Sequence, residues 1–117
     1  MSFVDALRAG DGAGIAQSLS DDVVFHSPVA DYRGRDEVLT VLVTIGTVID
    51  DVRVRRQILQ GDETVTFIEG VIDGRAIDGI VDQVHGPDGR LSEITLMLRP
   101  LDALLEGVRR MGEALGG

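Results

Sequence analysis

Asp73-Gly74 separates two alternating runs, Thr64–Ile72 and Arg75–His85, and no other feature constrains this chain as strongly. An Asp-Gly pair supplies the positive φ that a two-residue hairpin turn needs, so the flanking runs are predicted antiparallel neighbours. Gly86-Pro87-Asp88-Gly89 marks the next turn, followed by a strand over Arg90–Arg99. Upstream, Val52–Gln60 alternates Val52 and Val54 with Arg53 and Arg55 before a turn at Gly61-Asp62. The second half therefore reads as a four-strand antiparallel meander.

The first half has a different period. Ser2 is expected to cap a short helix through Ala9, and Gly10 ends it. Asp11 then caps a second short helix running to about Leu19. Val23–Ser27 reads as an edge strand stopped by Pro28, and Val29–Gly34 as a loop. Val38, Leu39, Leu42, Val43 and Ile45 have helical spacing within a helix over about Arg35–Thr47. Pro100 stops the last strand and suits a first helical turn. Leu101, Leu104, Leu105, Val108, Met111 and Leu115 then form an amphipathic stripe over 101–115. The class is α+β, with helices on one sheet face.

The turns set a predicted register. Glu69 faces Asp78, and Asp82 faces Glu93. Alternation puts Ile68, Ile72, Ile77, Val81, Ile94 and Leu96 on one side, together with Leu98, Thr66, Gln83 and His85. This side has the larger aliphatic area and is expected beneath the helices. Glu69, Asp78, Asp82 and Glu93 fall on the other side, where water or a second subunit would meet them. Like charges across a ladder are destabilising unless solvated or sharing a proton.

Composition removes whole classes of function. Among 117 residues, eleven arginines and no lysine stand against twenty acids, a net charge of −9. This speaks against nucleic acid and against an anionic membrane surface. The absence of Cys excludes disulfides and thiolate chemistry, and the absence of Lys excludes a side-chain Schiff base. The two histidines, His26 and His85, are too far apart to make an HExxH zinc helix, and neither a metal nor a cofactor is expected. The start MSFVDALRAGDG is no signal peptide, and no apolar run is long enough to span a bilayer. A cytoplasmic location is the default expectation.

No chemical motif is complete. Ser27 and His85 could pair as nucleophile and base, but no GxSxG elbow surrounds Ser27 and no acid backs His85. Gly10-Asp11-Gly12-Ala13-Gly14 follows a helix instead of a strand, so it reads as a helix break. Arg53, Arg55 and Arg56, the one basic cluster, are expected to pair with nearby acids or sit solvated, an anionic ligand being the alternative. His26 reads as a surface or edge histidine. Tyr32, the one phenol, and Arg33 are candidates for the rim of a pocket.

The short helices, Val23–Ser27 closed by Pro28, Tyr32-Arg33-Gly34-Arg35-Asp36-Glu37 opening a helix, and the meander with Pro87-Asp88-Gly89-Arg90 together resemble the nuclear-transport-factor-2-like superfamily. The nearest resemblance is to its SnoaL-like and ketosteroid-isomerase-like branch. It implies one domain over 1–117: a cone-shaped, curved antiparallel sheet wrapped around helices, a cystatin-like roll. It also implies a small-molecule cavity and a homodimer, with the 101–115 helix added as a lid or dimer element. The isomerase's catalytic aspartate before the first-strand proline falls on Ser27. Its oxyanion tyrosine falls on Phe3, and its protonated aspartate on Val81. Neither Phe nor Val can donate a proton, and Ser is a poor base. The two-aspartate and arginine set of the limonene-epoxide-hydrolase branch has no inner-face counterpart.

Three readings follow. In the first, the cone binds a small, mainly apolar ligand. Phe25, Ser27, Tyr32, Leu42, Ile68 and Val81 then line the pocket with Ile94, Leu96 and Leu98, and Gln83 and His85 are its polar contacts. In the second, the chain is an isomerase, cyclase or epoxide-hydrolase-type enzyme on a steroid, terpenoid or polyketide-like substrate, with His85, Ser27, Tyr32 or an inward-turned acid such as Asp78 as candidates for proton transfer and no catalytic residue assigned. In the third, side chains fill the cone.

Overall fold

The computed structural model describes residues 3–116. Four helices and six strands form in the order α1 (Phe3–Ala9), α2 (Gly12–Ser18), β1 (Leu19–His26), β2 (Asp31–Arg33), α3 (Arg35–Val48), β3 (Asp50–Gln60), β4 (Glu63–Ile72), β5 (Arg75–His85), β6 (Leu91–Arg99) and α4 (Leu101–Ala114). The strands make one curved, open sheet ordered β2-β1-β6-β5-β4-β3. The Asp11 carboxylate accepts from the Gly14 amide at 3.0 Å and so caps α2. The expected Ser2 cap lies outside the described residues.

The Asp73-Gly74 turn forms as predicted. Its residues have φ values of 49° and 78°, and Ile72 pairs with Arg75. Each further step along β4 and β5 follows, including Glu69 opposite Asp78 and Ile68 opposite Gly79. Gly61-Asp62 likewise joins β3 to β4, with Gln60 opposite Glu63.

Three expectations change. First, β1 is longer than Val23–Ser27 and is not an edge. It runs parallel to β6, so the sheet is mixed instead of wholly antiparallel. Second, part of the expected 29–34 loop is β2, which pairs with β1 through Phe25 opposite Tyr32 and takes the edge position. A three-residue strand is too short to show a period in sequence. Third, the β5–β6 register slides by two residues. His85 faces Leu91 instead of Arg90, and a bulge at Ser92 adds one more, so Asp82 faces Thr95 and Glu93 faces Val84. The expected Asp82–Glu93 pair does not form. Past the bulge the slide is even, so the side chains of Glu93–Arg99 keep their faces, whereas Leu91 before it turns into the core.

The aliphatic side indeed lies under the helices. Ile68, Ile72, Ile77, Val81, Ile94 and Leu96 are all buried there, joined by Val38, Val41, Leu42, Ile45 and Val48 of α3. The two buried polar residues on this side satisfy each other: the Gln83 amide donates to the Thr66 hydroxyl at 3.2 Å, and the exposed Gln57 amide donates to the same hydroxyl at 3.1 Å. Such pairing offsets the desolvation a buried amide would otherwise suffer.

Candidate functional site

A cavity of about 210 Å³ lies between α3, α4, the sheet and the loop after β1. From α3 and its C-cap come Val41, Ile45, Val48 and Ile49. The sheet supplies Ile72, Leu96 and Leu98. The loop and β2 supply Ser27, Pro28, Val29 and Tyr32. Leu104, Gly107, Val108, Met111, Gly112 and Leu115 complete the wall. None of these side chains is ionisable in the carboxylate, imidazole or guanidinium sense.

Two hydroxyls are the wall's only hydrogen-bonding side chains. Ser27 Oγ is engaged within its own loop: it donates to the Ala30 carbonyl at 2.8 Å and accepts from the Ala30 amide at 3.0 Å. This local turn aims the chain from β1 back into β2. It also leaves Ser27 no base to make it a nucleophile. Tyr32 differs. Its ring stacks on buried Phe25 with centroids 6.2 Å apart, and its hydroxyl makes no hydrogen bond among the described residues.

Of the expected pocket residues, Ser27, Tyr32, Leu96 and Leu98 meet around this cavity. Ile68 and Val81 instead border, with Leu96, a separate void of about 20 Å³ near α1. That space holds roughly one water. Phe25, Leu42 and Ile94 are close-packed core, each at most 2% exposed. Gln83 is held by Thr66, as described. His85 sits at the β3–β4 turn, its Nδ1 3.4 Å from the Asp62 carbonyl oxygen, and is not part of the cavity wall. The residues missing from the sequence reading are mainly on α3 and α4. Their helical stripe was visible, but periodicity does not distinguish a stripe packed on protein from one facing a void.

The acids stay outside. Glu69, Asp78 and Glu93 have side chains 36%, 44% and 51% exposed. Arg99 lies directly across from Asp78 and pairs with it at 3.0 Å. Arg55 and Arg53 reach Glu69 at 3.3 and 3.6 Å, and the Arg56 guanidinium stacks 4.3 Å above Phe67. Asp82 Oδ1 is buried with no hydrogen-bond partner among the described residues. A hydrogen bond with the Asp82 carboxylate, reinforced by its charge, raises the Glu63 pKa. No group of three or more His, Asp or Glu among the described residues could hold a metal ion. No helix among them is long and apolar enough to cross a membrane.

His26 joins three strands on this outer side. Its Nδ1 lies 2.8 Å from Asp31 of β2 and its Nε2 2.7 Å from Glu93 of β6. The hydrogen bonds to Asp31 and then to Glu93 raise its pKa above 6.5. The folded protein therefore binds this proton more tightly than the unfolded chain. The stabilisation is fully present below about pH 6.5 and is lost as pH rises through the folded value. We expect a His26→Gln variant to lose that slope. Urea unfolding at a series of pH values checks this, and equal slopes in both proteins would contradict the bridge.

The fold and this site can be set beside known proteins. The steroid delta-isomerase of Pseudomonas aeruginosa is similar at 29% identity, with a TM-score of 0.90 over 97% of this chain and 85% of that one. An uncharacterised Silicibacter pomeroyi protein with a cystatin-like fold gives 22% identity and a TM-score of 0.91, over 95% of this chain and 80% of that one. An NTF2-like protein from Cytophaga hutchinsonii gives 13% and 0.74, over 87% and 88%. The last two similarities establish shared fold alone. No curated protein shows significant similarity to the chain. The SnoaL-like domain model matches residues 2–99, which contain all six strands and the first three helices. By that match the chain belongs to the SnoaL-like domain family.

Proposed function

We propose that this protein binds a small, neutral, mainly apolar molecule in the cavity between α3 and α4, without the acid–base set of ketosteroid isomerase. One observation carries the reading: the wall is aliphatic, has no charged side chain, and includes one phenol, Tyr32, whose hydroxyl makes no hydrogen bond among the described residues. Apolar walls with few polar groups are what ligand sites commonly offer. The positions matching the isomerase machinery do not assemble here. Ser27 is tied to its loop, and Phe3 and Val81 are buried apolar residues. At about 210 Å³ the cavity is below the ~300 Å³ where drug-sized pockets begin, so its occupant is smaller than a steroid.

Thermal unfolding with a panel of one- and two-ring alcohols and phenols tests this. A ligand at a hundred times its dissociation constant adds about 2.7 kcal/mol to native stability. We expect the melting temperature to rise with such a ligand, and to rise less in Tyr32→Phe when the ligand carries a hydroxyl. No shift across the panel would reject binding in favour of a plain scaffold.

The 29% identity to a steroid delta-isomerase favours a second reading, an isomerase- or cyclase-type enzyme. Turnover of a one- or two-ring unsaturated ketone that disappears in Tyr32→Phe would support it over simple binding.

A further inference from the structure

The family match ends at residue 99, and α4 begins just beyond it at Leu101. Yet α4 and its C-cap Leu115 supply six of the seventeen residues around the cavity. The helix is held close to the sheet. Ala103 and Gly107 are its buried residues, and a Cβ at Gly107 would stand 3.1 Å from Ile72 Cδ1. Its ends are fixed by the β4–β5 turn: Arg110 donates to Asp73 at 2.9 Å and Arg75 to the Asp102 carbonyl at 3.3 Å. With the helix seated this way, Leu104, Val108 and Met111 face the void and are only half-buried.

We propose that α4 is the specificity element of this pocket, with Leu104, Val108 and Met111 setting an upper size that admits a two-ring neutral molecule and excludes a three-ring one. The proposal rests on the binding reading above and adds to it. The α3 and sheet walls are backed by the packed core and cannot retreat cheaply. The α4 wall is a single helix with solvent behind it, where the Glu113 side chain is 64% exposed. A change of size on α4 therefore alters the cavity with little repacking elsewhere. In an apolar pocket each methylene is worth about 10–200-fold in selectivity.

The test uses the full chain, titrated calorimetrically with naphthol and with phenanthrol, its three-ring homologue. The unliganded melting curve of each variant serves as the folding check. Wild type is expected to bind naphthol and not phenanthrol. Met111→Ala should bind phenanthrol, and Val108→Phe should weaken naphthol about tenfold or more. Leu105→Ala, an exposed position of α4 that does not line the cavity, should match wild type with both probes. Met111→Ala only removes atoms, so it decides the matter even if Val108→Phe does not fold. Wild type binding both probes equally, or variants that discriminate as wild type does, would overturn the assignment to α4. Loss of naphthol binding in every protein, wild type included, would instead overturn the binding reading itself.

Discussion

Phe25→Ala is expected to destabilise the protein by about 3–5 kcal/mol, the range for removing a fully buried aromatic ring from a core. Phe25 has no exposed surface, and it belongs to the central strands of the sheet, next to β6 through its pairing with Ile94. A loss of that size is a large fraction of the ~5–15 kcal/mol that holds a domain folded. Urea unfolding should show the midpoint falling while the slope stays constant, since the unfolded state is not changed. The consequence extends to the cavity. Tyr32 rests on the Phe25 ring, so deleting that ring leaves the phenol without its support. Ligand affinity should therefore fall as well, although Phe25 never touches the cavity. A stability loss below about 1 kcal/mol would mean that the site collapses around the gap.

Gly79→Val should be the second severe substitution, at about 3 kcal/mol, by overpacking instead of by a cavity. A Cβ at Gly79 would stand 2.6 Å from Leu98 Cδ2, 2.9 Å from the Met97 carbonyl oxygen and 3.2 Å from Ile68 Cγ1. The leucine tip can rotate away. The carbonyl is backbone of β6, and moving it means parting β5 from β6 where Gly79 faces Leu98. Leu98 also lines the cavity, so the sheet wall there would shift with it. Thermal melting gives the direct measure. A variant that melts with wild type would show that the two strands have slack at this point.

The legible parts of the fold were those fixed by neighbours in the chain. Asp73-Gly74 requires its turn because both residues must take positive φ, and the β4–β5 register follows residue by residue from it. The Asp11 cap and the apolar stripes of α3 and α4 are local for the same reason. β2 and the parallel β1–β6 pairing were not legible. The latter joins Val24 to Glu93 across more than half of the chain, and no short-range pattern encodes such a partner. The β5–β6 register was partly legible. Its two-residue slide went unseen, yet the inner and outer faces of Glu93–Arg99 were right because parity survived past the bulge.

The candidate site divides along the same line. Sequence placed Ser27, Leu96 and Leu98 at a pocket, since a strand end and an inner sheet face are set by alternation, and Tyr32 at its rim from the apolar body of its ring. It could not separate those residues from Phe25, Leu42 and Ile94, which have the same pattern and are packed solid. Whether an apolar side chain meets another side chain or empty space depends on volumes contributed by distant elements.

By itself, then, the sequence determined the α+β class, the meander and the outward position of its acids, because each follows from residue identity and short-range geometry. Only the tertiary structure decided that the sheet is mixed, that a cavity remains between α3 and α4, and that α4 forms one of its walls. Those outcomes come from long-range packing, in which the position of one helix against Ile72 and Asp73 fixes how much space is left.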